Sequence, residues 1–293
     1  FSFHPHLDIQ IGHRNGEIRL NQNISRVTPP RKEDSNSLLL APKSRQLTRT
    51  QYLTLTLTFT NITHLTMSSP STTETCRLVV LCSGSGTNLQ AIINAVADGT
   101  VPQSKIEKVI VNRKTAYAVQ RAEKAGIPTR YFNLVSGGFT AKGEKDEAKL
   151  REGRGRYDAA LAELVLQDKP DLVVLAGWMH VFSAPFLRPL EAAGVPVINL
   201  HPALPGRYDG ANAIGRAYED FQAGKLENNR TGAMIHYVIE TVDRGEPILI
   251  EEVEIRSGDS LADVEERMHS VEHGLIVKAT AKVVQEILER KKQ

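Results

Sequence analysis

From residue 76 onward, short apolar runs alternate with amphipathic segments, and this alternation constrains the fold more than any other feature. Strands are predicted over 77–82, 108–111, 129–132, 172–176 and 195–200, and helices over 116–125 and 157–167. A further helix follows the loop at 83–88 and carries Leu89, Ile92, Ile93 and Val96 on one face. Strands that alternate with helices predict an α/β fold with a doubly wound, mostly parallel sheet, whose ligands bind at the carboxyl ends of the strands.

The pattern changes after residue 210. A helix is predicted over 211–223, followed by strands over 231–239 and 247–255 that are joined by a tight connection around Asp243-Arg244-Gly245. These two strands add an antiparallel pair to the parallel set. The last segment opens with Ser260-Leu-Ala-Asp263, a capping box, and continues with apolar residues at helical spacing. We therefore expect a long C-terminal helix.

Composition divides the 293 residues into two parts. Residues 1–75 are rich in Thr, Ser, Asn and Arg and show no helix or strand pattern apart from LTLTLTFT at 53–60. We interpret them as a disordered or non-native extension; a targeting segment is the alternative, although no amphipathic Arg-rich helix is evident. Met67 resembles an ordinary start, so residues 1–66 are predicted to be dispensable. Residues 76–293 are expected to form the functional domain.

Charge and cysteine usage exclude several classes of protein. The formal charge of +2, from 36 basic and 34 acidic residues, is too balanced to indicate a surface for nucleic acids or anionic membranes. No apolar stretch approaches the roughly 20 residues that span a bilayer. Cys76 and Cys82 lie too close along one predicted strand to pair easily, which argues against a disulfide framework. We expect a cytoplasmic protein that binds neither nucleic acid nor membranes.

The loop Ser83-Gly-Ser-Gly-Thr-Asn88 lies between a predicted strand and a predicted helix, where free N–H groups and the helix dipole attract anions. It departs from the dinucleotide-binding fingerprint because Leu89 stands where the third glycine would be, and it lacks the lysine of a P-loop. The loop therefore predicts a site for a single phosphate. A plain tight turn is the alternative.

Asn199 and His201 lie two residues apart at the end of a predicted buried strand, in the segment NLHPALPGRYDG, so their side chains share a face. Both can donate hydrogen bonds to a developing oxyanion, and histidine can move a proton near neutral pH. We interpret the pair as functional, with a structural histidine as the alternative. Asp243 either shapes a turn or approaches His201, in which case its carboxylate would raise the pKa of the imidazole and keep the ring charged.

The segment His269-Ser-Val-Glu272-His273 matches the H-x-x-E-H pattern of one zinc protease class. Such a site needs a further ligand downstream, yet little sequence follows and His and Cys do not cluster elsewhere. We therefore expect no metal site. Glu272 is interpreted as a polar group on the inner face of the last helix that points at a ligand.

Five motifs together resemble the folate-dependent glycinamide ribonucleotide formyltransferase family. They follow the family's order and spacing over roughly residues 76–290 and read VVLCSGSGTNLQAII, PDLVVLAGWMHVFS, VINLHPALPGRYDGANAI, GAMIHYVIETVDRGEPILIEEV and GDSLADVEERMHSVEHGLI. The resemblance implies a Rossmann-like formyltransferase fold. It also implies transfer of the formyl group of 10-formyltetrahydrofolate, the co-substrate, to the amine of 5-phosphoribosylglycinamide in purine synthesis. The products would be formylglycinamide ribonucleotide and tetrahydrofolate, formed by direct transfer through a tetrahedral intermediate.

The resemblance also assigns roles to residues. Asn199 would hydrogen-bond the formyl oxygen, His201 would stabilise the oxyanion and donate a proton, and Asp243 would tune this histidine and assist proton transfer. The other matching residues would bind the ribonucleotide (Gly86, Thr87, Asn88, Glu272) and the folate (Arg154, Trp178, Met179, His180, Val181, Val242). Arg156 could replace Arg154 at the folate tail, because this region holds the extra stretch VSGGFTAKGEKDEAKLREG. His180 departs from the family, since other members often carry arginine there.

Three other functions compete with this interpretation. A 10-formyltetrahydrofolate hydrolase would need an N-terminal regulatory domain, which residues 1–75 do not resemble. A methionyl-tRNA formyltransferase would need an extra domain after the long helix. A noncatalytic nucleotide-binding protein of the same fold would not require the Gly86 loop and His201 to face one cleft. Assembly as a homodimer, or with other purine-pathway enzymes, is left open.

Overall fold

The structure is a computed structural model that describes the backbone of residues 10–14 and 17–21 and the whole of residues 74–293. Strands β1 (Gln10–Arg14) and β2 (Glu17–Asn21) pair antiparallel. This pair was not predicted from the sequence, although Asn-Gly, which separates the two strands in the sequence, is favoured in two-residue hairpin loops. The segment at 53–60 and most of the predicted extension lie outside the described residues.

A separate unit contains a seven-stranded sheet. Its strands are β3 (Cys76–Cys82), β4 (Ser104–Val111), β5 (Thr129–Tyr131), β6 (Leu172–Leu175), β7 (Val197–His201), β8 (Arg230–Tyr237) and β9 (Pro247–Glu254). The helices are α1 (Thr87–Ala97), α2 (Ala118–Lys124), α3 (Glu147–Gln167), α4 (Ala184–Ala192), α5 (Ala213–Gln222) and α6 (Leu261–Lys291), with a 3-10 turn at Glu227–Asn229. The strand order is β5-β4-β3-β6-β7-β8-β9, parallel from β5 to β7 and antiparallel at β8 and β9. This confirms the predicted α/β fold, its antiparallel pair and its long C-terminal helix.

The chain changes direction across the sheet at β3. It proceeds outward from β3 to β4 and β5, and then returns to β6 on the other side of β3. The loops that follow β3 and β6 therefore flank the crevice in which doubly wound folds bind ligands. Two hydrogen bonds hold these loops together: Ser83 N–H donates to the Gly177 carbonyl (3.0 Å), and Met179 N–H donates to Ser83 Oγ (2.8 Å).

Apolar side chains cover both faces of the sheet. All four residues of β6 are buried, as the continuous apolar run of an interior parallel strand requires. On one face the core includes Leu89, Ile92, Met268, Leu275 and Ile276, and on the other Tyr157, Leu161, Phe186 and Leu190. Burying each such side chain contributes about 1.5–3 kcal/mol. This packing fixes the strand ends from which the site is built.

Helix α6 begins with the predicted capping box. Ser260 N–H donates to Asp263 Oδ2 (2.8 Å), and Asp263 N–H donates to Ser260 Oγ (3.3 Å). The helix then buries Met268 and Leu275 against the sheet, with Glu272 on the same buried face. The prediction that Glu272 lies on the inner face of this helix is confirmed.

One helix prediction had the wrong start, and one helix was missed. Helix α3 begins at Glu147 rather than at residue 157, because the Asp146 carboxylate accepts hydrogen bonds from the N–H groups of Ala148 (2.9 Å) and Lys149 (3.2 Å). Part of the extra stretch is therefore helical. Helix α4 was not predicted, since two prolines interrupt its sequence; one of them occupies the first turn, where no backbone N–H is needed.

The β8–β9 connection is longer than the tight turn that was predicted. It runs from 238 to 246, and Val238, Ile239, Val242 and Asp243 line the cleft beside β7. Gly245 allows the chain to return, because a Cβ at this position would clash with the Tyr237 carbonyl oxygen. The connection therefore contributes functional side chains as well as reversing the chain.

Candidate active site

A cavity of about 330 Å³ lies at the carboxyl ends of β6 and β7. It is lined by most of the predicted site residues: Asn88, Trp178, Met179, His180, Val181, Asn199, His201, Val242, Asp243 and Glu272. Gly86, Thr87 and Arg154 are not among its lining residues. Two other hollows, of about 440 and 560 Å³, lie around Tyr237 and Arg290 and contain none of the predicted site residues. The chemistry of the cavity, and not its size, therefore identifies it as the candidate site.

His201 is the last residue of β7 and is only 3% exposed. Its Nδ1 lies 3.4 Å from Asp243 Oδ2, and its Nε2 lies 3.4 Å from the Arg207 carbonyl oxygen. Both ring nitrogens thus face acceptors, and only a ring protonated on both nitrogens can donate to each of them. Of the two alternatives for Asp243, a turn residue or a neighbour of His201, the structure shows the second.

The prediction that Asp243 keeps the His201 ring charged was wrong. Burial lowers the pKa of His201, and the opposing effects of the Asp243 carboxylate and the Arg207 carbonyl do not restore its usual value. Removal from water penalises the charged ring more than one carboxylate at 3.4 Å compensates. The neutral ring of His201 is therefore favoured near pH 7.

His236, which the sequence analysis missed, completes a network around Asp243. Its Nε2 lies 3.5 Å from Asp243 Oδ1 and 3.2 Å from Asn199 Nδ2, and its Nδ1 lies 2.9 Å from the Tyr237 carbonyl oxygen. The carbonyl can only accept, so it selects the ring form with a proton on Nδ1. When the ring is neutral, Nε2 accepts from the Asn199 amide, which leaves the second amide N–H free for a ligand.

Asp243 is held from the opposite side of the cleft. Gly210 N–H donates to its Oδ2 (2.7 Å), and the neighbouring Arg244 pairs with Asp209 (2.8 Å). Burial alone would raise the pKa of the Asp243 carboxyl, but its contact with His236 and the hydrogen bond from Gly210 N–H, together with the nearby His201, hold the pKa below its usual value. Asp243 is therefore a fixed negative charge beside two imidazole rings.

The glycine loop between β3 and α1 has the geometry of an anion site. Gly86 has a φ of 71°, and a Cβ there would lie 2.8 Å from Cα and Cβ of Ala118. No side chain caps α1. The N–H groups of its first turn are therefore available to a ligand, as the sequence analysis predicted for a single phosphate.

Glu272 lies beside this helix end. Asn88 Nδ2 donates to its Oε2 (3.1 Å), while Asn88 Oδ1 is buried without a hydrogen-bond partner. Glu272 is 5% exposed, and burial raises its pKa although the Asn88 hydrogen bond and the charge of His269 act in the opposite direction. The pair places a carboxyl and an unsatisfied amide oxygen where a ligand with hydroxyl groups could bind.

The residues predicted to bind folate lie in two places, along the wall of the cleft and on α3. Trp178 is buried with its Nε1 unpaired, and Met179 and Val181 are exposed beside it at the mouth of the cleft. His180 does not reach outward, because its Nε2 lies 2.6 Å from Oδ1 of the fully buried Asp158. Together these residues form a largely apolar wall with one fixed polar pair.

Arg154 and Arg156 lie on the exposed surface of α3. Arg156 donates to the Phe139 carbonyl (3.0 Å) and lies 3.7 Å from Glu152. Arg154 therefore has fewer competing contacts among the described residues, although it does not line the cavity itself. The choice between these two arginines for the folate tail stays a prediction.

Comparisons with known proteins agree with this geometry. The formyl transferase family matches residues 76–280. A phosphoribosylglycinamide formyltransferase of Schizosaccharomyces pombe is 47% identical over 208 residues, which cover 71% of this chain and 96% of the relative. One from Saccharomyces cerevisiae is 42% identical over 219 residues, covering 72% and 98%. The crystal structure of glycinamide ribonucleotide transformylase 1 from Symbiobacterium toebii has a TM-score of 0.60 and 29% identity, and covers 72% of this chain and 89% of that structure.

Proposed function

The chain belongs to the formyl transferase family, and on this premise we propose that Asn199, His201 and Asp243 perform its chemistry. The activity of this chain is formyl transfer to phosphoribosylglycinamide in purine biosynthesis. The observation that supports the residue assignment is the Asp243 carboxylate, which lies within 3.5 Å of both His201 and His236. The carboxylate thereby contacts His201 directly and Asn199 through His236, and Asn199 and His201 are the two side chains that would meet the formyl group.

The reaction begins when the amine of the ribonucleotide attacks the formyl carbon of 10-formyltetrahydrofolate. A C–N bond forms and the carbonyl electron pair moves to oxygen, which becomes an oxyanion. Asn199 donates its free amide N–H to this oxygen, and His201 donates a ring N–H. Each preorganised donor of this kind contributes about 100- to 1,000-fold to the rate.

Proton transfer completes the reaction. His201 takes up the proton that the attacking nitrogen loses and so becomes charged. It gives a proton to N10 of the folate as the C–N10 bond breaks and tetrahydrofolate is released. A histidine whose pKa lies below its usual value is a strong acid once it is charged, which suits delivery of a proton to N10. Its Nε2 must first leave the Arg207 carbonyl, a contact of 3.4 Å that is long for a hydrogen bond.

Substrate binding follows from the walls of the cleft. The ribonucleotide phosphate binds the N–H groups at Gly86, Thr87 and Asn88, and Glu272 receives the ribose hydroxyls. The folate ring system packs on Trp178, Met179, His180, Val181 and Val242, and its acidic tail extends toward Arg154 on α3. This reaction requires no metal, because the electrophile is already activated in the co-substrate.

Location and assembly are further parts of the proposal. Both cysteines are buried and free, which is consistent with a reducing compartment such as the cytoplasm. None of the described helices is long and apolar enough to cross a membrane. A homodimer, or association with other enzymes of purine synthesis, would be detected by sedimentation of the purified chain.

The test is an assay of the purified chain with glycinamide ribonucleotide and a 10-formyl folate, followed by absorbance as the folate loses its formyl group. We expect loss that requires the ribonucleotide. Loss at the same rate without the ribonucleotide would identify a hydrolase instead. An absence of loss in both reactions would contradict the assignment.

A further inference from the structure

Arg121, on α2, contacts the glycine loop and plays no part in the reaction described above. Its Nε donates to the Ser85 carbonyl (2.9 Å), and its Nη1 donates to Gln90 Oε1 on α1 (3.3 Å). Its guanidinium lies 5.1 Å from the centre of the Tyr117 ring, within the range of a cation–π contact. One side chain therefore joins the loop, the start of α1 and the start of α2.

The contact with Ser85 determines where an adjacent N–H group points. The Ser85 carbonyl and the Gly86 N–H belong to the same planar, trans peptide, so they point in opposite directions. With the oxygen held by Arg121, the Gly86 N–H must face away from α2. Gly86 itself is held against Ala118, with 2.8 Å between a Cβ at Gly86 and the Ala118 Cα. The orientation of this peptide is thus fixed on both sides.

Arg121 also brings a permanent charge to the phosphate end of the cleft. Titratable groups face this region from two helices: Glu272, His269 and His273 from α6, and Tyr117 from the start of α2. Burial lowers the pKa of His273, and the charges of His269 and Arg121 lower it further, so Arg121 and α6 act on the same region. The Nε2 of His273 is buried without a hydrogen-bond partner. Among these groups only the guanidinium is charged at every working pH.

We propose that Arg121 is a positioning residue for the phosphate of the ribonucleotide, which orients the Ser85–Gly86 peptide and adds positive charge at the start of α1. This inference rests on the proposed function, since it assumes a phosphorylated substrate in the glycine loop. It predicts a selective effect: Arg121 serves the ribonucleotide and has no role at the folate wall around Trp178.

The experiment measures binding of glycinamide ribonucleotide and of a folate analogue separately, by titration calorimetry on the full chain. We expect R121A to bind the ribonucleotide about 10- to 100-fold more weakly, as the loss of a charge-assisted hydrogen bond implies. R121Q, which keeps an N–H donor but not the charge, should fall between R121A and the wild type. K124A removes the same charge from the same helix and should bind both ligands as the wild type does.

The outcomes separate this inference from the proposed function. Wild-type turnover with the ribonucleotide tests the function, whereas only the variants test Arg121. Equal ribonucleotide affinity in R121A and the wild type would overturn the inference. A parallel loss of folate affinity and of melting temperature would also overturn it, because Arg121 would then support the fold in general. If R121A does not fold, R121Q gives the same comparison.

Discussion

The Asp243 carboxylate lies 3.4 Å from Nδ1 of His201, although the two residues are separated in the sequence by α5 and β8. The same carboxylate accepts the Gly210 N–H and lies near His236, so its orientation is fixed by groups on one loop and on the two strands β7 and β8. The arrangement couples the chemistry at the end of β7 to the β8–β9 connection. Substitutions in that connection should therefore change catalysis even where they touch no substrate.

His201 is the first residue to replace. H201A should lower kcat by about 100- to 1,000-fold, because one oxyanion donor and the proton donor are lost together. The far-UV circular dichroism spectrum should be unchanged. Turnover close to that of the wild type would exclude His201 from the reaction.

His236 should act through Asn199 and Asp243. H236A should lower kcat by about 10- to 100-fold, since the Asn199 amide and the Asp243 carboxylate each lose a partner at a cost of about 1–3 kcal/mol. H236Q should retain more activity, because its amide can occupy the place of Nε2. Equal kcat in H236A and H236Q would show that a hydrogen bond from residue 236 does not contribute to turnover.

Gly86 and Gly84 form a matched pair for the loop. G86A brings a Cβ to within 2.8 Å of Ala118 at a positive φ, whereas a Cβ at Gly84 meets nothing within 4 Å. We expect G86A to lose about 1–3 kcal/mol of unfolding free energy and to bind the ribonucleotide at least about 10-fold more weakly. G84A should match the wild type in urea unfolding and in calorimetry, and a similar loss in both variants would contradict this account.

Stability should depend on pH with opposite contributions from His201 and Glu272. The pKa of His201 is lower in the folded protein than in the unfolded chain, where it is about 6.5. The contribution of His201 to the free energy of unfolding is therefore complete above pH 6.5 and is lost as the pH falls below 6.5. The pKa of Glu272 is higher in the folded protein than in the unfolded chain, where it is about 4.5. The contribution of Glu272 to the free energy of unfolding is therefore complete below about pH 4.5 and is lost as the pH rises. Urea unfolding between pH 4 and 8 should show that H201Q removes the first slope and E272Q the second.

Removal of residues 1–66 should leave activity unchanged. Every residue proposed for the reaction lies in the unit from Met67 to Gln293. Assays of the full chain and of residues 67–293, at equal concentrations of active site, would compare kcat and both KM values. A change of several-fold in any of them would show that the extension contributes to function.

Local patterns predicted the fold, the glycine loop and the Asn199–His201 pair, whereas the folate residues were predicted only from the family resemblance. The misses have physical causes. Asn199 and His201 could be paired from the sequence because alternation along one strand places them on one face. His236 could not, because its position opposite Asn199 depends on the register between β7 and β8. The pKa direction of His201 also depended on tertiary structure, since burial had to be weighed against the Asp243 charge.

The pairing of His180 with Asp158 has a consequence for the design of inhibitors. The Asp158 carboxylate, fully buried, also accepts the Ser183 N–H (2.8 Å), so the imidazole is held against the wall of the cleft. The rim beside it is formed by Met179 and Val181, which are 63% and 60% exposed. A compound whose affinity depends on a flexible cationic side chain of the protein at this rim would lose that contact. A compound with an uncharged, flat extension would gain contact with Met179 and Val181.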